Sequence, residues 1–146
     1  EVNVVTKMKE TNTVIGGEGN GGVIYPESHY GRDALVGVGL FLSHFVAEGK
    51  SMTALKATYP QYFISKNKLT LSPDMDVDKI LEGLKKKYAS EEITDIDGVK
   101  IDFKDGWVHL RKSNTEPIIR IYSESKDEAA ANQLAEEVIK VAQSLY

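Results

Sequence analysis

Apolar and polar residues alternate from Val99 to Phe103, with Lys100 and Asp102 set between Val99, Ile101 and Phe103. A period of two predicts a strand with one buried face. Asp97-Gly98 before it and Asp105-Gly106 after it are two-residue hairpin signals. They predict antiparallel partners at Ile93–Ile96 and Trp107–Leu110, and a further strand follows at Ile118–Ser123. On both sides of these strands the period becomes helical. Val77, Ile80, Leu81, Leu84 and Tyr88 fall on one helix face, and Ala131, Leu134, Ala135, Val138, Ala142 and Leu145 form a second stripe. Ser125-Lys126-Asp127-Glu128 matches a capping box at the start of the second helix. The pattern predicts an α+β unit: a four-stranded antiparallel meander with helices on one face.

The earlier part of the chain reads differently. Val2 to Glu10 carries both helix and strand signals, and both stay open. Thr13–Ile15 is predicted as a short buried strand entering a glycine run, and Val23–Tyr25 as another, ended by Pro26. Asp33 is placed to cap a helix over Ala34–Ala47, and Gly49 to stop it. That helix is apolar nearly all round, which predicts burial on several sides. A shorter helix over Ser51–Thr58 ends before Pro60. This half has more apolar helix than strand to cover it, so it is expected to expose an apolar face. The polar run Ser65-Lys66-Asn67-Lys68 and the turn signal Ser72-Pro73-Asp74 place a boundary near residues 66–75. The domains are therefore drawn at 1–67 and 68–146.

Composition narrows the function classes. The 146 residues are 41% hydrophobic and 27% charged, as in soluble globular domains. A net charge of −4 argues against a general nucleic-acid binder. No apolar run approaches membrane-spanning length, and no signal peptide is visible. The lack of cysteine excludes disulfide and thiol chemistry and is compatible with the cytoplasm.

Two loops carry candidate chemistry. Arg111-Lys112-Ser113-Asn114-Thr115-Glu116-Pro117, with Arg120 just beyond, gathers three cationic heads, two hydroxyls and loop backbone N–H groups. Arginine forms fork-shaped, charge-assisted hydrogen bonds to phosphate oxygens, and hydroxyls and backbone N–H groups add short-range donors. Arg120, flanked by Ile119 and Ile121, points away from the core toward the loop or solvent. The second loop, Gly16-Gly17-Glu18-Gly19-Asn20-Gly21-Gly22, has five glycines in seven residues. Glycine permits positive φ and close approach to a ligand, while Glu18 and Asn20 offer acceptors and donors suited to vicinal sugar hydroxyls. Arg32 is placed to orient this loop or to pair with Glu18.

Other residues have plainer readings. His29 and Tyr30 read as surface loop, His44 as a core histidine, His109 as a sheet-face residue and Trp107 as core. Lys85-Lys86-Lys87 reads as a solvated helix C-terminus. Asp74-Met75-Asp76-Val77-Asp78 alternates aspartates but directly precedes a helix, so it reads as N-terminal helix charge and not as a metal site.

The order Arg111, Ser113, Asn114, Thr115, Pro117 resembles the phosphate-binding loop of the α-D-phosphohexomutases, Arg-x-Ser-Asn/Gly-Thr-x-Pro. That family includes phosphoglucomutase, phosphomannomutase and phosphoglucosamine mutase. The glycine loop resembles the family's sugar-binding loop, Gly-Glu-x-Ser-Gly-His. Glu18 matches, Asn20 stands where Ser is usual and Gly22 where His is usual. The resemblance covers essentially the whole chain, as the second half of the third domain and all of the fourth. It implies a TATA-box-binding-protein-like fourth domain preceded by part of an α/β domain. It implies sugar binding by Glu18, Asn20 and Gly22, and phosphate binding by Arg111, Ser113, Asn114, Thr115 and Arg120.

The family's phosphoserine loop (Ser-His-Asn-Pro type) does not occur in this chain, and the spacing of its Mg²⁺ loop (Asp-x-Asp-x-Asp) is met only by Asp74, Asp76 and Asp78, read above as helix charge. The resemblance therefore implies a C-terminal fragment without catalytic residues or metal ligands of its own. Mg²⁺ would serve the full-length enzyme, and no cofactor is expected on the fragment. The expected partners are a hexose or hexosamine phosphate and the N-terminal domains of the same protein. The alternative reading is a non-catalytic phosphate- or anion-binding module, or a dimerisation module.

Overall fold

The computed structural model describes residues 2–72 and 75–145. The chain forms two compact units, Glu1–Pro60 and Gln61–Tyr146.

The first unit opens with helix α1 (Val2–Thr11), the segment in which helix and strand signals competed. Strands β1 (Gly16–Gly17), β2 (Val23–Tyr25) and β3 (His29–Arg32) form a small antiparallel sheet in that order. The strand expected over 13–15 is found instead at Gly16–Gly17. Gly16 pairs with Ile24 and Gly17 with Val23, while Val14 and Ile15 are exposed. Apolar character without a pairing edge does not make a strand. His29 and Tyr30, expected as surface loop, belong to β3, which pairs back on β2.

Helix α2 (Ala34–Glu48) is capped as expected. Asp33 Oδ1 accepts the Val36 N–H at 3.0 Å, and Gly49 closes the helix at φ 61°. The expected burial on several sides is not found: no α2 residue is buried, and Leu35 and Val46 are 84% and 77% exposed. The apolar face expected from the sequence is present on this helix. His44, expected in a core, is likewise exposed and meets the Tyr59 hydroxyl at 3.1 Å. Helix α3 (Met52–Lys56), shorter than expected, is capped by Ser51 and buries Leu55.

The second unit comprises β4 (Phe63–Thr70), α4 (Val77–Lys87), β5 (Glu92–Thr94), β6 (Val99–Phe103), β7 (Gly106–Lys112), β8 (Ile118–Ser125) and α5 (Glu128–Gln143). Its sheet has five strands, β4-β8-β7-β6-β5, all antiparallel. The fifth is β4, the segment read from sequence as a polar linker. It pairs along its whole length with β8, from Phe63 opposite Ser125 to Thr70 opposite Ile118. The boundary expected at 67/68 therefore falls inside a strand, and the compact units divide at Pro60/Gln61. Polar residues at 65 to 68 hid the strand because both of its faces carry hydrogen-bonding side chains. Ser65 and Asn67 bond each other beneath the sheet, and Ser65 reaches Asn132 of α5.

Helix α5 packs over β4, β7 and β8, with α4 beside it. Ile80, Leu84, Val108, Leu110, Ile119, Ile121 and Val138 are fully buried in one cluster. Each such side chain stabilises the fold by roughly 1.5–3 kcal/mol relative to exposure. Buried Ser123 satisfies its hydroxyl on the Ala131 carbonyl at 2.7 Å. The expected capping box is replaced: Asp127 caps α5 through the Ala130 N–H, and Ser125 donates instead to the Asp105 carbonyl. Trp107 lies on the face opposite the core, its indole N–H bonded to Glu124 at 3.0 Å. Ile96 is 75% exposed, and β5 ends before it. Asp76 caps α4 by accepting the Asp78 and Lys79 N–H groups. Asp74 and Pro73 lie outside the described residues. Among the described residues no helix is long and apolar enough to cross a membrane.

Candidate functional site

The anion-binding candidate is the five-residue loop between β7 and β8. Its two strands are adjacent and share the core beneath them, so the loop springs from a fixed base. The Ser113 N–H donates to the Ile118 carbonyl at 3.0 Å, which closes the hairpin, and Leu71 N–H ties the Pro117 carbonyl at 2.9 Å. Ser113 is buried at the loop's root, and the Thr115 N–H approaches its hydroxyl at 3.4 Å. Asn114 and Thr115 are exposed at the tip. Arg111 lies one residue before the end of β7 and Arg120 lies on β8, directly opposite each other in register.

That register adds a residue the sequence reading missed. On the sheet face away from the helices, Lys68 of β4 is opposite Arg120, and Arg120 is opposite Arg111. Three cations therefore stand in one cross-strand row. Like charges directly opposite destabilise strand pairing, and an anion placed over the row offsets that repulsion. In the structure the row is moderated by carboxylates: Asp97 accepts from Arg111 at 2.8 Å, and Glu116 from Arg120 at 3.4 Å. Lys68 carried no signal of its own, because only the pairing of β4 with β8 brings it to this face. Lys66 sits one row along, its ammonium 5.8 Å from the Tyr122 ring centre. His109, expected on a sheet face, is on this one, opposite Tyr122.

The second candidate is the glycine loop between β1 and β2 in the first unit. The Glu18 N–H donates to the Gly22 carbonyl and the Gly21 N–H to the Glu18 carbonyl, folding the loop back on itself. Gly21 takes φ +87°, which side-chain-bearing residues rarely adopt. Asn20 accepts the Gly22 N–H at 2.9 Å and offers its amide to Glu18 at 3.5 Å. Arg32 approaches Glu18 at 3.7 Å, so the pairing open to it from sequence is formed. A Cβ on Gly22 would lie 2.7 Å from Arg32 Cδ, which shows how closely the loop lies on that side chain. Asn20, Gly22, Arg32 and Asp33 line an open cleft at the start of α2. His29, read as surface loop, pairs with the capping Asp33 at 3.1 Å. The Asp33 carboxyl is held below its ordinary range, first by the Val36 N–H and then by His29.

Among the described residues no group of three or more His, Asp or Glu is arranged to hold a metal ion. What the two loops offer is binding: fixed donors and cations in one, a carboxylate and an amide on a glycine frame in the other.

Two family models together match most of the chain. Residues 68–141 match the family model described as phosphoglucomutase/phosphomannomutase, C-terminal domain. Residues 1–62 match that of phosphoglucomutase/phosphomannomutase, alpha/beta/alpha domain III. Among curated relatives, a phosphoglucosamine/phosphogalactosamine mutase of Sulfurisphaera tokodaii is 39% identical over 142 residues, 96% of this chain and 31% of the relative. A phosphoglucomutase/phosphomannomutase of Thermococcus kodakarensis is 41% identical over 140 residues, 94% of this chain and 30% of the relative. A crystal structure of a phosphoglucomutase/phosphomannomutase family protein from Burkholderia thailandensis superposes with a TM-score of 0.69 at 26% identity, covering 96% of this chain and 31% of that one. The chain spans about a third of the length of the curated relatives it matches.

Proposed function

Because the chain belongs to the phosphoglucomutase/phosphomannomutase family, we propose that it supplies the substrate-gripping loops of a phosphohexomutase. The intact enzyme would interconvert the 1-phospho and 6-phospho forms of a hexose or hexosamine. The loop at Arg111–Thr115, with Arg120, takes the phosphate that is not reacting. Glu18 and Asn20, on the frame that Gly22 permits, take ring hydroxyls. The reacting serine and the Mg²⁺ ligands belong to the full-length protein outside this chain, so this chain alone turns over no substrate.

The observation that carries this reading is the cross-strand row Lys68–Arg120–Arg111 beside a loop with Ser113 buried at its root. A like-charge row weakens the sheet by itself, and a phosphate dianion supplies the compensating charge. The binding role follows from what a mutase needs. Both phosphate isomers of the sugar must be held in turn, with opposite ends at the reacting centre. Fixed donors serve by positioning, and well-oriented reactants gain up to roughly 7–11 kcal/mol in barrier reduction, of which a distal phosphate grip contributes part.

The test is an NMR shift titration of this chain with glucosamine 6-phosphate, mannose 6-phosphate, glucose 6-phosphate and inorganic phosphate. Shifts at Arg111–Thr115 are expected with every ligand, and shifts at Glu18 and Asn20 with the sugars only. If saturating ligand moves neither set in the full-length protein, the assignment fails.

A further inference from the structure

The Asp97-Gly98 turn was expected only to join two strands, yet three features tie it to the phosphate loop. The Asp97 carboxylate accepts a hydrogen bond from Arg111 Nη1 at 2.8 Å. The Asp97 carbonyl is held in turn by His109 Nε2 at 2.6 Å. A carbonyl can only accept, so Nε2 carries the proton in this contact. Gly98 sits at φ +79°, and a Cβ there would lie 2.2 Å from the Leu110 carbonyl oxygen and 3.0 Å from Arg111 Cα. The turn is thus pressed against the backbone of the residue whose side chain it holds.

We infer that Asp97 is a positioning residue for phosphate capture: it fixes the guanidinium of Arg111. The inference rests on the phosphate-site reading above and adds the group that orients its first residue. The contact engages one nitrogen of the guanidinium, which has five N–H donors in a rigid fork and can meet an anion with the others. Arg111 also stands opposite Arg120, and repulsion between the two heads would splay an untethered side chain. Asp97 holds Arg111 from the turn that precedes β6, while Glu116 holds Arg120. Both members of the Asp97–Arg111 pair are about half exposed, so its contribution to global stability is small. Its effect falls on the order of the arginine head.

Two substitutions separate positioning from charge. Asp97→Asn and Asp97→Ala remove the same negative charge, but only asparagine keeps an oxygen that accepts from Arg111. Inorganic phosphate is titrated into each variant of this chain, with the amides of residues 111–115 followed by NMR. Asp97→Ala is expected to bind phosphate about threefold to tenfold more weakly than Asp97→Asn, the cost of ordering a rotamer-rich side chain at binding. The Nε–H relaxation of Arg111 supplies a second readout: restrained in the parent chain and in Asp97→Asn, mobile in Asp97→Ala. Thermal melting of the three proteins should coincide. Equal phosphate affinities in the two variants overturn the inference. So does an Arg111 side chain that is as mobile with Asp97 present as without it. If phosphate moves none of residues 111–115 in the parent chain, the phosphate site itself fails and the positioning role falls with it.

Discussion

The two units carry their candidate loops on very different foundations. In the second, the anion loop joins central strands of a five-stranded sheet whose inner face is closed by α5 and α4. Ile119, Ile121, Val108 and Leu110 under that loop are fully buried. In the first, the glycine loop joins strands of two and three residues, and the long helix behind it leaves no residue buried. Its buried side chains are few, Met8, Ile24 and Leu55 among them. The anion loop is held by a core, the glycine loop mainly by its own hydrogen bonds and by Arg32. Rigidity of a binding site is thus set by what lies under it, whatever the chemistry of its tip.

The sharpest break of that contrast is a cavity in the second unit. Ile121→Ala should destabilise it by about 2–5 kcal/mol, read as a lower melting temperature by the fluorescence of Trp107, the single tryptophan. Arg111→Ala should weaken phosphate binding about tenfold to a hundredfold, the loss of a charge-assisted hydrogen bond of roughly 1.5–3 kcal/mol, while melting stays near that of the parent. Gly98→Ala should cost about 1–3 kcal/mol, because alanine resists positive φ and its Cβ would press on the Leu110 carbonyl and the Arg111 backbone. By contrast, Leu35→Ser on α2 should change stability by less than about 0.5 kcal/mol, since the side chain is 84% exposed. A loss from Leu35→Ser as large as from Ile121→Ala would erase the distinction between the units.

The smallest effect is one of pH in the first unit. The Asp33 carboxyl is held below its ordinary range by the Val36 N–H and by His29. A lowered folded value means the unfolded chain binds its proton first. The capping contribution is therefore fully present above about pH 4 and is lost as pH falls through the folded value. Exchange of the Val36 amide should accelerate over that acid window, and Asp33→Asn should flatten the response. A Val36 exchange profile unchanged by the substitution would show that Asp33 does not govern the helix start.

Much of this molecule was legible because its signals are local. Asp33 and Gly49 mark the ends of α2 by side-chain and backbone chemistry within a few residues, and both act as read. The hairpin glycine at 98 and the alternation of Val99–Phe103 likewise depend on neighbours in sequence, whereas the turn expected at Asp105-Gly106 falls one residue earlier, at Lys104-Asp105, and Gly106 opens β7 opposite Phe103. The glycine loop and the Arg111–Thr115 run were visible because a loop's ligand groups lie side by side along the chain.

What sequence could not give depends on partners distant in the chain. β4 looked like a linker, since Ser65 and Asn67 are polar and become inward-facing only when β8 and Asn132 meet them. Lys68 entered the cationic row, and Asp97 the arginine contact, through strand register alone. Ser125 signalled a cap but found the Asp105 carbonyl nearer at hand, leaving the role to Asp127. Residue type and spacing determined which groups this protein can present. Long-range pairing decided which of them share a face, because a register shift of a single residue sends every side chain of a strand to the other side.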